Sequence, residues 1–246
     1  MSRSWRILAF SPLLAATSVG HGGAMTTTSP WNLPDSDICS AARQLLFDAA
    51  TPAIAGHCVR SHLFAREIAA AKGMRAGVDY DEEIVYLACL LHDLGITDIG
   101  AGAQRFEVDG ADAAASFLRA NGLSEDRVTT VWQSIALHTS VGLADRFGVE
   151  QSVSFFGISL DINGLDKGLL SPGFADRVHA DWPRYDLGYA IADLIAEGSR
   201  SNPTKAPPFS FPAHLHEVLN GESVGFFDVI ENSGWGDRPA SRRLTS

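Results

Sequence analysis

An all-α fold is what this sequence predicts, on three observations. Apolar residues recur at helical spacing from Asp35 onward, the segments they define have recognisable starts and stops, and no alternating run long enough for a strand intervenes. With 246 residues, 46% hydrophobic and 20% charged, the chain has a globular composition and the length of one domain with modest extensions.

The elements follow in order. Thr51-Pro52 supplies an N-cap and a first-turn proline for a helix that carries His57, runs to Lys72 and stops at Gly73. Asp79, with Glu82 three residues on, reads as a capping box for the next helix. Its stretch Ile84 to Leu91 is apolar around the whole circumference, which demands a central position. It ends at His92-Asp93-Leu94-Gly95, where the glycine reads as a C-cap. Asp109 caps a shorter helix through Arg119, followed by Gly122. Ser124 caps another, in which Val128, Val131, Trp132 and Ile135 hold helical spacing and His138 falls at the edge of the apolar face. Val149 to Leu165 is apolar with one acid, Asp161, in its midst, and a lone carboxylate there needs a partner. Later helices are predicted at Arg184 to Glu197 and Pro212 to Asn220. Without an internal repeat or linker, residues 35–231 read as a single helical bundle.

The ends read differently. Met1 to Arg6 and the apolar run to Val19 have the order of an export signal, whereas Pro12 and the ordinary start at Met25 suit an upstream start. Residues 1–34 are therefore set apart as a signal-like or mis-started extension, and the localisation is cytoplasmic unless residues 1–24 are a true signal. No other segment reaches the roughly 18 apolar residues of a membrane span. Residues 232–246 read as a loose tail. Nineteen bases against 29 acids give a formal charge of -10, which disfavours nucleic acid as a partner. The odd set Cys39, Cys58 and Cys89 reads as buried reduced thiols.

The chemistry concentrates in His57, the adjacent pair His92-Asp93, and Asp161, each on a different predicted helix and each in an apolar setting. Buried unpaired charge is costly, so two carboxylates and two imidazoles converging between central helices are most simply explained by one divalent cation. In mid-helix His92 and Asp93 would diverge by about 100°. At a helix end both can turn toward one ion.

This order and spacing resembles the metal-dependent HD-domain superfamily, named for the adjacent pair. Within it, the segments 86–95, 105–112, Ala136-Leu-His-Thr-Ser140 and His216-Glu-Val-Leu219 are similar to the cyanamide-hydratase branch. The resemblance spans roughly residues 37–220 and implies His57, His92, Asp93 and Asp161 as ligands, with zinc as the metal. The ligation itself would equally accept iron(II), manganese or nickel. Many phosphate-cleaving HD enzymes carry a lysine after the glycine; here Ile96 stands there, followed by Thr97. The resemblance implies addition of water to a small uncharged nitrile, cyanamide to urea.

Such a reaction needs a proton acceptor and an acid. Asp93 is the candidate acceptor and His138 the candidate acid. Thr139 is assigned to substrate hydrogen bonding and Phe155 and Phe156 to narrowing the pocket. Arg60, one turn after His57 and on its face, is a candidate to steady Glu107 or a substrate, with a structural ion pair as the alternative. Glu107 and Asp109 are candidate supports for the ligand histidines, with capping the first role for Asp109. Cys89 reads as a buried thiol, and His62, His179, His214 and His216 as solvated or locally bonded. The competing readings are a phosphohydrolase of nucleotides or phosphate esters, for which Arg60 and Arg105 are the local cations, and a non-catalytic ligand-binding module. The expected partner is a small molecule, with a homo-oligomer open.

Overall fold

The computed structural model describes residues 30–221 and 224–236. The sequence reading of the first 29 residues and of residues 237–246 lies outside them. Among the described residues there is no strand, only an isolated bridge between Ala76 and Tyr80. No described helix is long and apolar enough to cross a membrane.

The described residues form ten α-helices in order: α1 (Asp37–Ala49), α2 (Pro52–Ala71), α3 (Glu82–Leu91), α4 (Phe106–Ala120), α5 (Glu125–Leu137), α6 (Val149–Asn163), α7 (Phe174–Asp181), α8 (Leu187–Ser201), α9 (Phe211–Asn220) and α10 (Phe226–Asn232). The fully apolar helix is indeed the centre. Every residue of α3 from Ile84 to Leu91 is buried, and α1, α2, α5 and α6 pack around it. Withdrawing side chains such as Leu87, Leu90 and Leu91 from water contributes roughly 1.5–3 kcal/mol each. All three cysteines are free and buried.

Several local expectations change. The N-cap of α3 is Asp81, whose carboxylate accepts from the Ile84 N–H at 3.2 Å. Asp79 lies in the preceding turn, paired with Arg75 at 3.0 Å. Helix α4 starts three residues before Asp109, so that side chain is interior; it accepts from the Gln104 N–H at 3.2 Å and from Lys205 at 2.8 Å. Helix α8 begins at Leu187, because Arg184 is drawn inward to Asp161. The short helices α7 and α10 carry too few apolar repeats to stand out in the sequence.

Two glycines position the site. Gly95 is not a C-cap: α3 ends at Leu91, and Gly95 sits inside a 3-10 turn over Leu94–Ile96 without a positive φ. A Cβ there would lie 1.8 Å from the Phe106 carbonyl oxygen. Only glycine lets the start of α4 approach the His92-Asp93 turn so closely. Gly157 does the same for α6 on α2, where a Cβ would lie 2.2 Å from the Ser61 carbonyl oxygen. That contact brings Asp161 beside His57.

Candidate metal centre

His57 projects from α2, His92 is the residue that closes α3, and Asp93 follows it in the 3-10 turn. The end of α3 releases the adjacent pair from helical geometry, and both side chains turn the same way. His92 Nε2 lies 3.0 Å from His57 Nε2 and 3.3 Å from Asp93 Oδ2, and His57 Nε2 is 3.7 Å from that same oxygen. All three residues are buried, and Asp93 Oδ2 has no hydrogen-bond partner.

The opposite ring nitrogens explain the arrangement. His92 Nδ1 donates to the Cys89 carbonyl oxygen at 2.8 Å, and His57 Nδ1 donates to Asp161 Oδ2 at 2.7 Å. Both acceptors require the proton on Nδ1, which leaves the two Nε2 atoms turned toward each other and toward an orphaned carboxylate oxygen. Burial lowers the His57 pKa. Burial also works to lower that of His92, but the Asp93 carboxylate more than reverses it. Asp93 in turn is held below the usual carboxylate range by His92, His57 and His138, against the effect of its burial. Donor atoms of His57, His92 and Asp93 all lie within 4.8 Å of one another. Imidazole and carboxylate donors that are fully buried and mutually facing fit a divalent metal ion, as the sequence expects. Cys58 lies beside His92, but burial raises its pKa and keeps it a thiol.

Asp161 stands apart from this trio, on the far nitrogen of His57. Its carboxylate is gripped by Arg60, with Nε 2.9 Å from Oδ1 and Nη2 2.9 Å from Oδ2, and by Arg184, with Nη1 2.7 Å from Oδ1. The partner that a lone acid in α6 needs is thus two guanidiniums and an imidazole. Arg60 is fully buried and also donates to the carbonyl oxygens of Trp182 and Pro183, so its role is the structural ion pair and not substrate contact. Arg184 escaped sequence reasoning, since nothing local in the sequence ties residue 184 to residue 161. His179 sits on the same side, with Nε2 3.9 Å from Asp161 Oδ1.

On the other side stands His138, closing α5. Its Nδ1 donates to the Ile135 carbonyl oxygen at 2.6 Å, its ring meets those of His92 and Phe106 edge-on, and its Nε2 faces Asp93 Oδ1 at 4.0 Å. Burial and the neighbouring His92 lower its pKa to about 4. As placed, His138 is therefore a neutral base with its lone pair toward Asp93, not a standing acid. The next residue, Thr139, donates its hydroxyl proton to Glu107 Oε1 at 2.5 Å and accepts from Arg105 Nη2 at 3.2 Å. With that proton committed, Thr139 has only a lone pair to offer a substrate.

Phe155 and Phe156 pack edge-on against each other, and Lys72 lies 4.4 Å over the Phe156 ring. Along α6 the two rings precede Asp161 by six and five residues, about 9 and 7.5 Å at the helical rise. The sequence misses His62 as well. It is fully buried and edge-on to Tyr86, with neither ring nitrogen in a hydrogen bond and Nε2 4.0 Å from Glu82 Oε1. Thr97 donates to the Leu94 carbonyl oxygen at 2.7 Å. An open cleft of about 1500 Å³ lined by His214, His216 and Glu217 contains none of the metal-centre residues.

Comparison with known proteins agrees with this geometry. Over 174 residues the chain is 24% identical to cyanamide hydratase DDI2 of Saccharomyces cerevisiae, covering 68% of this chain and 75% of that protein. Cyanamide hydratase DDI3 of the same yeast matches to the same extent. The HD domain family matches residues 54–181, an interval that contains His57, His92, Asp93, His138 and Asp161. With just over half of its length matched, the chain belongs to the HD-domain family of enzymes.

Proposed function

We propose that this chain is a metal-dependent hydratase that adds water to a small uncharged nitrile, converting cyanamide to urea. The observation that carries the reading is the pair of Nε2 atoms, 3.0 Å apart, facing the orphaned Asp93 carboxylate. When bound, a divalent ion, zinc by resemblance to the cyanamide hydratases, supplies Lewis acidity and a more acidic water. His57, His92 and Asp93 hold it. Asp161 serves it through His57, and direct ligation requires that carboxylate to leave Arg60 and Arg184.

The chain's own groups handle the protons. As water oxygen bonds to the nitrile carbon, a proton must leave the water and the nitrile nitrogen must gain one. His138, neutral and with Nε2 toward Asp93, can accept the first and return it to nitrogen. Thr139 offers an acceptor that suits the amino group of cyanamide. The two arginines that a phosphate ester would need are both spent, Arg60 on Asp161 and Arg105 on Glu107. That favours a neutral substrate. The test is to measure bound metal on the purified protein and to assay urea from cyanamide beside phosphate release from a nucleotide panel. Urea formation lost in Asp93→Asn supports the proposal; phosphate release without urea overturns it.

A further inference from the structure

Arg105 and Glu107 stand two residues apart at the start of α4, yet the arginine side chain is 28% exposed and the glutamate side chain 0%. Arg105 Nη2 reaches Oε1 at 2.5 Å and Nε reaches Oε2 at 3.1 Å, one donor for each carboxylate oxygen. The Thr139 hydroxyl joins them on Oε1. Phe106, between the two, lays its ring against His138, whose Nε2 faces Asp93. The guanidinium therefore sits beside the metal centre with its charge cancelled by a fully buried acid. A helix N-terminus favours acidic residues in its first turn, but that preference is met by exposed side chains and does not require burial of one.

Resting on the reading of this cluster as a catalytic metal site, we infer that Glu107 determines its specificity: by cancelling Arg105 it disfavours anionic substrates and leaves the site to neutral ones. An HD site beside an uncancelled arginine would attract phosphate; here the buried counter-ion removes that attraction. The fork also holds Arg105 in place, so the guanidinium cannot swing to a ligand without abandoning a buried carboxylate.

The experiment uses the full-length, metal-loaded protein and inorganic phosphate as the probe, read by titration calorimetry and by the shift in thermal midpoint. Glu107→Gln keeps an acceptor for Arg105 and removes the charge. Phosphate affinity is expected to rise about tenfold, the worth of one charge-assisted hydrogen bond. The gain should vanish when Arg105→Ala is added. Equal phosphate affinity in wild type and Glu107→Gln, or a gain that survives the loss of Arg105, overturns the inference. If Glu107→Gln does not fold, Glu107→Ser takes its place, because it too removes the charge and leaves room for water beside Arg105; a gain is again expected, and no gain overturns the inference. Phosphate binding is read without turnover, so the outcome is distinct from whether the protein makes urea.

Discussion

His57 and His92 bring their Nε2 atoms to 3.0 Å, each with its Nδ1 proton already given to another acceptor. Two imidazole nitrogens at that separation need positive charge between them, a proton on His92 or a metal ion, and the buried Asp93 carboxylate adds to the demand. A divalent ion taken up there would displace that proton and offset the cost of burying these groups together.

Asp93→Asn removes the only anionic donor of the trio and should abolish stoichiometric metal, with urea formation down by more than about 100-fold. Asp161→Asn keeps an acceptor for His57 Nδ1 and should weaken the metal by roughly 10–100-fold, the range for groups that orient ligands. Competition with a chromophoric chelator measures both. Equal loss in the two variants would mean that Asp161 ligates directly.

His138→Gln should lower kcat by roughly 10²–10⁴-fold, the usual worth of one acid-base group, while the bound metal stays constant. Metal analysis run beside the urea assay checks this. A matching loss of metal would make His138 a ligand instead.

Gly95→Ala forces a methyl group into the Phe106 carbonyl oxygen and should cost about 3 kcal/mol or more. At Gly168 an added Cβ would meet nothing within 4 Å, and Gly168→Ala should be within about 0.5 kcal/mol of wild type. Urea denaturation midpoints compare the pair.

His62 is held neutral by burial, with its pKa lowered to about 3 from an ordinary 6.5. The unfolded chain binds this proton more readily, so stability is complete above about pH 6.5 and falls as pH drops from there toward 3. Between pH 7.5 and 5 the wild type should lose about 2 kcal/mol through this group. His62→Phe should lose that much less over the same interval, as measured by denaturant unfolding at both pH values. Identical pH dependence in the two proteins would place the effect elsewhere.

Much of the site is legible in one dimension because its parts are chemically conspicuous. His57, the adjacent His92-Asp93 and Asp161 stand out as polar residues in apolar helices, and periodicity finds the helices themselves. The all-round apolar character of residues 84–91 places α3 at the centre without any coordinates. Caps are harder: Asp79 with Glu82 reads as the start of α3, and only the backbone path selects Asp81. His62 reads as an ordinary polar residue until its neighbours on α3 enclose it.

By itself, then, the sequence determined the helical class, the central helix and the set of groups from which a metal centre could be made. Tertiary structure decided how that set divides. It gathered His57, His92 and Asp93 into one buried cluster and assigned Asp161 to the far side of His57 under two arginines. The physical reason is that helical periodicity reports which face is buried, whereas hydrogen bonds between residues 23 to 104 positions apart depend on how closely the helices approach. In this chain that approach is controlled by two glycines, Gly95 and Gly157.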